Sequence, residues 1–410
     1  MRKNNSHSLM RSVALGMAIG IGAALIFSAG FFLRDFVNIP RGSALASAAE
    51  QGDYPLLSEV QLLLDQHYLR DQPDLSERQY AAIRGVLASL ADRYTFFIPP
   101  TVAQNESDAL AGAYGGIGVQ VTRNERGELI LYPFQDSPAQ AAGILAGDIL
   151  VAVNGAPVSL ESGQDDIDRM LRGEVKAENG VELTVRTPSG AGAEAEERTR
   201  FILFDVINVP SVTWRVLDED AALGYVQILS FTSRTPEELK TALDELRADG
   251  VAGLVLDLRN NSGGLLQESI TVADEFLDGD VIVYERSSQQ ERTFTADPGG
   301  LAVDLPIAVL VNGGTASASE LVAGALRDNG RGLLIGQQTF GKGTVQQIFA
   351  LSDQSAVHIT SAEWLTPGRH QLADNGLEPD IAMIPDVNNR DVELGEAVRQ
   401  LRQMLAEQVS

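Results

Sequence analysis

Residues 307–335 read IAVLVNGGTASASELVAGALRDNGRGLLI. A short continuous apolar run (Ile307 to Val311) meets a turn of small residues. Apolar positions at helical spacing follow (Ala316 to Leu326), and after Asn329-Gly330 a second apolar run occupies Gly332 to Ile335. Strand, turn, helix and strand in that order form the repeating unit of a sheet whose strands run parallel. The same alternation extends upstream. Leu223–Leu229 and Ala252–Leu258 are short apolar runs separated by a helical stretch from Pro236 to Ala248 with proline in its first turn, and a further helix is expected over Leu265–Leu277. An α/β domain with a largely parallel sheet is the expectation.

Composition narrows the function. A formal net charge of −25 leaves no basic stripe to neutralise phosphates, which argues against DNA or RNA as a partner. With no cysteine, thiolate catalysis, disulfides and cysteine zinc sites are excluded. The four histidines (His7, His67, His358, His370) lack HExxH spacing, so neither a metal nor another cofactor is expected. Ser12 to Leu33 is uncharged and follows Arg2, Lys3 and Arg11, long enough to cross a bilayer with its positive flank leading. The body is therefore expected outside the cytoplasm, anchored to the membrane by this segment. Ala44-Leu45-Ala46 and Ala46-Ser47-Ala48 leave open a cleaved signal and a periplasmic or secreted product.

Between anchor and sheet the chain changes character twice. Pro55–Leu69 and Ser76–Leu90 carry helical spacing and form a small helical element, and Tyr94-Thr95-Phe96-Phe97 reads as packing between domains. Then come Gly115-Gly116-Ile117-Gly118 entering an alternating strand, Ser137-Pro138-Ala139 running to Ala142-Gly143, and Gly147-Asp148-Ile149-Leu150 running to Val153-Asn154-Gly155. A polar helix follows near Asp165–Leu171 and a strand near Glu182–Arg186. This ordered set resembles a PDZ domain. Pro188–Glu197 reads as a hairpin tip or linker, and Asp391–Leu405 as an amphipathic helix packed on the body.

The chemistry gathers after two strands of the sheet, where open α/β sheets place their sites. Arg259-Asn260-Asn261-Ser262-Gly263-Gly264 brings paired glycines whose N–H groups suit an oxyanion hole. Ser317 opens a helix. Ser317-Ala318-Ser319-Glu320 has the spacing of a capping box, the bland alternative to a nucleophile. Lys342, in Phe340-Gly341-Lys342-Gly343, is one of only four lysines. Arginine cannot serve as a base, whereas a lysine stripped of water by neighbours such as Phe340 can. Gln346, four residues on, is placed to orient its amine, and the N–H groups of Ala318 and Gly263 are candidates to hold a tetrahedral oxyanion.

Together, RNNSGG (259–264), TASASELVAGALRDNGR (315–331) and GQQTFGKGTVQ (336–346) resemble the C-terminal processing peptidases, also called tail-specific proteases, serine peptidases of family S41 with a Ser/Lys dyad. The resemblance implies Ser317 as nucleophile, Lys342 as general base, Gln346 as its support and Ala318 with Gly263 as the oxyanion hole. Asp328 matches an acidic position that some members need, expected to order the helix end. It further implies a serine endopeptidase whose Gly116, Ile117 and Gly118 bind the carboxylate of a protein's free C-terminal tail, with a PDZ domain able to gate the site. Thr315 in place of a first serine, Ser262 in place of a common proline and a short Thr366-Pro367-Gly368-Arg369 turn depart from the family pattern. The expected organisation is a membrane anchor or signal (1–48), a helical region (49–102), a PDZ domain (103–190), a mixed α/β peptidase core (191–386) and a C-terminal helix (387–410). A catalytically silent, membrane-tethered PDZ scaffold and an acyl-transferring or hydratase-type enzyme are the competing classes. A homo-oligomer or an activating partner stays open.

Overall fold

The computed structural model describes residues 54–124, 126–159, 163–188, 196–373, 375–386 and 390–408. The apolar stretch 12–33 and the candidate cleavage sites lie outside these residues. No helix among the described residues is long and apolar enough to cross a membrane. Contacts divide the chain into one unit ending at Arg78 and a second beginning at Gln79. In the first, helix α1 (Pro55–His67) has proline in its first turn and no buried residue. Arg78, on α2 (Leu75–Ala88), pairs with Asp65 at 2.9 Å.

In the second unit, β1 (Phe96–Ile98) and α3 (Pro100–Ala111) precede a sheet made of β3 (Val119–Arg123), β4 (Leu129–Pro133), β5 (Asp148–Val153), β7 (Gly180–Thr187) and β8 (Glu196–Leu203), hydrogen-bonded in that order. The short β6 (Ala156–Pro157) pairs with β5. Helices α4 (Pro138–Ala141) and α5 (Gln164–Met170) accompany it, and Leu131, Ile144, Ile167, Leu183 and Val185 fill its own core. This is the architecture expected from the glycine loop and the GDIL hairpin, and its last strand extends beyond residue 190. Outside the sheet, β2 (Ala113–Gly116) and β9 (Asp205–Asn208) pair with each other at the passage to the next domain.

That domain is built on a six-stranded sheet ordered β10 (Val212–Leu217), β11 (Asp220–Ile228), β12 (Gly253–Asp257), β15 (Ile307–Val311), β16 (Gly332–Gly336) and β19 (Ile381–Ala382), parallel from β11 onward. Strand side chains alternate between two cores. Leu254, Leu256, Ile307 and Val309 face helices α6 (Thr235–Ala248), α7 (Leu266–Asp274) and α8 (Ala318–Asp328). Val255, Ala308, Leu310 and Ile335 face Ala397, Val398 and Leu401 of the C-terminal helix α9 (Val392–Gln408). Burial on both faces explains why these strands read as unbroken apolar runs rather than alternating ones. The C-terminal helix packs on the body as expected. Its approach is fixed by Arg259, whose guanidinium donates to Asp257 and, through two nitrogens at 2.8 Å, to Asp391.

A further sheet runs β1, β18 (Ala356–Leu365), β13 (Val281–Ser287) and β14 (Glu291–Thr295), with β17 (Thr344–Ala350) on β18. It carries the residues that follow Lys342.

Candidate active site

Because β12 and β15 are parallel neighbours, the turns after them leave the sheet side by side. Asn261, fully buried, joins them. Its main-chain oxygen accepts from Ala316 N at 3.0 Å and from Ser319 Oγ at 2.8 Å, while its amide donates to Ile228 O at 2.9 Å. Thr315 Oγ1 donates to Leu258 O at 2.8 Å and accepts from Asn312 N at 3.0 Å. Two of the three hydroxyls in the TASAS run are thus locked into the scaffold, including the threonine that stands where the family pattern has serine.

Ser317 is the third. Its backbone is at φ 57°, ψ −119°, a conformation that costs a non-glycine residue about 1–3 kcal/mol. With Glu320 three residues on, its side chain stands in the reciprocal arrangement of a capping box, as the spacing suggested. In its return arm the Glu320 carboxylate accepts from Ser317 N at 2.9 Å. Ser317 is half-buried at the N-terminus of α8, with the N–H of Ala318 in the first helical position, where no intrahelical acceptor exists.

Gly263 lies against this turn. At φ 106° it occupies a region that favours glycine, and a Cβ placed there would stand 2.9 Å from Ser317 Cβ and 3.1 Å from Ala318 N. The structure therefore brings together Ser317, Ala318 and Gly263. In this conformation the Gly263 N–H donates to Asn261 Oδ1 at 2.9 Å.

Lys342 arrives from the loop after β16. Phe340 N donates to Thr315 O at 3.0 Å, stitching that loop to the serine turn, and Gly343 passes so close to Ala373 N that a Cβ would fall 2.2 Å from it. Glu320, fully buried, closes the arrangement. One oxygen accepts from Thr339 Oγ1 and Gly341 N at 2.5 and 2.7 Å, the other from Ser317 N and Lys342 N, both at 2.9 Å. A single carboxylate oxygen thus bridges the backbones of the candidate nucleophile and the candidate base. Among the described residues no hydrogen bond joins the two side chains directly.

Burial pushes the Lys342 ammonium below the ordinary lysine value, while the carboxylates of Glu106 and Glu320 pull it back up. The cover is different from that expected. Phe340 is 53% exposed, and the ring beside the amine is that of Tyr94, with Nζ 5.7 Å from its centroid. Gln346 donates to Thr344 O and Oγ1 at 3.2 and 2.7 Å. That leaves its amide oxygen, rather than its nitrogen, for a protonated amine. Asp328 sits at the far end of α8, where it accepts from Gly368 N and from Arg327 at 2.9 Å. Burial raises its carboxyl, but the hydrogen bonds from Thr366, Gly368 and Arg327 outweigh this and hold it below the usual range. It anchors the short 366–369 turn. Sequence reasoning missed Asn261, Tyr94 and the bridging role of Glu320. Only Glu320 had a local signal, three residues beyond a serine.

In the smaller domain, β3 is an edge strand, and a groove of about 750 Å³ runs between it and the segment Asp168–Arg172. Gly118, at φ 68°, opens that groove. Ile117 is buried and its N–H donates to Leu171 O at 3.3 Å, while Gly116 lies in β2 and bridges to Arg172. Of the three residues expected to hold a carboxylate, Ile117 has its N–H already engaged.

Comparison with known proteins places these features in a family. The family model described as Peptidase family S41 matches residues 222–383, and that of a PDZ domain matches residues 132–185. The chain is 37% identical over 346 residues to the chloroplastic C-terminal processing peptidase of Tetradesmus obliquus, covering 80% of this chain and 73% of the relative. It is 34% identical over 391 residues to the carboxy-terminal-processing protease of Bartonella bacilliformis, covering 92% and 87%. Among solved structures it is similar to a photosystem II D1 C-terminal processing protease (35% identity, TM-score 0.47, covering 82% of this chain and 89% of that one).

Proposed function

Because the chain belongs to peptidase family S41, the C-terminal processing serine proteases, we propose that it is an endopeptidase that captures proteins by their C-terminal tails and cleaves them through a Ser317/Lys342 dyad. The observation that carries this reading is the contrast among three neighbouring hydroxyls: Thr315 and Ser319 are hydrogen-bonded into the scaffold, while Ser317 stands on a strained turn sharing the Glu320 oxygen with Lys342.

Serine is a weak nucleophile until a base takes its proton. Lys342, its ammonium disfavoured by burial, supplies a neutral amine for that step. Its side chain turns to Ser317 once substrate is bound, and the amide oxygen of Gln346 then steadies the amine. Ser317 Oγ attacks the scissile carbonyl carbon. The developing oxyanion takes the N–H of Ala318 and that of Gly263, the latter released from Asn261. Collapse breaks the C–N bond, the proton on Lys342 passes to the leaving amine, and water activated by the same lysine hydrolyses the acyl-enzyme. No metal or organic cofactor enters these steps.

The tail adds as a strand beside β3, the last strand of its sheet, with its carboxylate at the Gly116–Gly118 loop and its last side chain in the groove. Residues 12–33 hold the body to a membrane from outside the cytoplasm. A serine-directed fluorophosphonate tests the enzymatic half: it labels the parent and not Ser317→Ala. A protein that binds tail peptides yet takes no label at Ser317 is the silent scaffold instead.

A further inference from the structure

The backbone of Lys342 is held by Glu320, whose carboxylate accepts from its N–H at 2.9 Å. Its amine has a different partner. Among the described residues Nζ has no hydrogen-bond or ion-pair partner, and the group it meets is the face of the Tyr94 ring, 5.7 Å from the centroid. A ring face attracts a cation within about 6 Å through its negative quadrupole and has no such hold on a neutral amine.

Tyr94 is built into the sheet that carries the residues after Lys342. Asp92 folds the segment before β1: one carboxylate oxygen accepts from Tyr94 N at 2.9 Å, the other from Thr95 Oγ1 at 2.7 Å. Thr95 is buried, and its hydroxyl accepts from Thr360 N of β18 at 3.1 Å. Thr360 stands opposite Gln346 in the register of β17 and β18, while β1 and β17 flank β18 at the same residues, Ala356 to His358. The ring and the strand that follows Lys342 are therefore tied to β18 from its two sides. Arg93 completes the mounting, donating to the Tyr94 hydroxyl at 2.5 Å and stacking its guanidinium on the same ring at 4.6 Å.

We propose that Tyr94 is a positioning residue for the base: its ring face holds Lys342 while the side chain is an ammonium, and lets it go when the amine is neutral and able to turn to Ser317. The proposal rests on the reading of Lys342 as general base. It separates two roles that an aromatic ring beside a lysine can have. As the partner of a cation the ring favours the charged form, so removing it eases deprotonation. As a mere cover it keeps water out and disfavours the charged form, so removing it hinders deprotonation. The other charges that act on Lys342 are the carboxylates of Glu106 on α3 and Glu320 on α8, which favour the ammonium and are common to every variant below.

The test is the pH profile of kcat/KM for peptide cleavage by the parent, Tyr94→Phe, Tyr94→Leu and Lys342→Ala. Tyr94→Leu keeps an apolar side chain and loses the ring, so its acid limb lies about half a pH unit lower, which is about a threefold gain in kcat/KM along that limb. Tyr94→Phe keeps the ring face, and its limb stays where the parent has it. If Tyr94→Leu fails to fold, Tyr94→pentafluorophenylalanine decides: it has nearly the shape of phenylalanine, its fluorines draw negative charge off the ring face, and its limb moves in the same direction as that of the leucine variant. A limb that moves to higher pH or stays in place when the ring face is lost overturns the proposal, as does a Tyr94→Phe limb displaced as far as that of Tyr94→Leu. Lys342→Ala is expected to be inactive, and cleavage by it along the parent's limb would instead overturn the base assignment beneath the proposal.

Discussion

Replacing Glu320 by glutamine keeps the shape of the side chain and removes its ability to accept at both ends. The carboxylate takes four donors, two per oxygen, in a site with no solvent exposure. If the new amide nitrogen stands on the side of Ser317 and Lys342, it faces two backbone N–H groups that have no other acceptor. If it turns the other way, the Thr339 hydroxyl, which also accepts from Leu377 N, can accept from it only by turning its own proton away, so that proton and Gly341 N–H both lose their acceptor. The second arrangement is the cheaper. Its new N–H finds an acceptor, but a buried N–H and a hydroxyl are left unsatisfied at about 1–3 kcal/mol each and the remaining bonds weaken from charge-assisted to neutral, for a total of at least about 2 kcal/mol. Since the same oxygens fix the backbones of Ser317 and Lys342, kcat should fall at least about tenfold as their alignment loosens. Thermal unfolding with and without Glu320→Gln reads the first effect, and single-turnover cleavage the second. A variant as stable as the parent to within about 0.5 kcal/mol, with unchanged kcat, would refute the bridging role.

Three further outcomes follow from the same geometry. Lys342→Arg keeps a cation but supplies no base, so turnover should be lost while the melting temperature stays near that of the parent; an active arginine variant contradicts the assignment. Gly263→Ala brings a Cβ to 2.9 Å from Ser317 Cβ at φ 106°, and should abolish kcat while tail-peptide affinity is retained, checked by cleavage and by peptide titration. Because burial lowers the Lys342 ammonium, kcat/KM should rise with pH along a limb that lies below the ordinary lysine value of about 10.4, the neutral amine being the reactive form; activity that declines over the same range would point to a different base.

The strands and helices of the parallel sheet were legible because burial on both faces leaves continuous apolar runs: Ile307–Val311 was readable to the residue. Helix starts were less so. The helix read from Ala316 begins at Ala318, because the small residues before it form the strained turn that presents Ser317. In the site, Ser317, Ala318, Gly263 and Lys342 could be chosen from local motifs, each within a few residues of a glycine turn. The environment of Lys342 could not. Tyr94 reaches it from the far side of the smaller domain in sequence, and nothing in Tyr94-Thr95-Phe96-Phe97 distinguishes a ring over an amine from one between domains. Phe340, adjacent in sequence, turns outward instead. Glu320 was visible only as a capping residue, since its other three donors come from 339–342, brought near by the sheet.

The most direct measurement incubates the purified full-length protein and its Ser317→Ala variant with an unstructured protein ending in an apolar tail, followed by mass analysis of the fragments. Cleavage by the parent alone, suppressed when the tail is amidated, is the predicted result. Equal cleavage by both proteins, or cleavage by neither with tail binding intact, would contradict a Ser317-dependent, tail-directed peptidase.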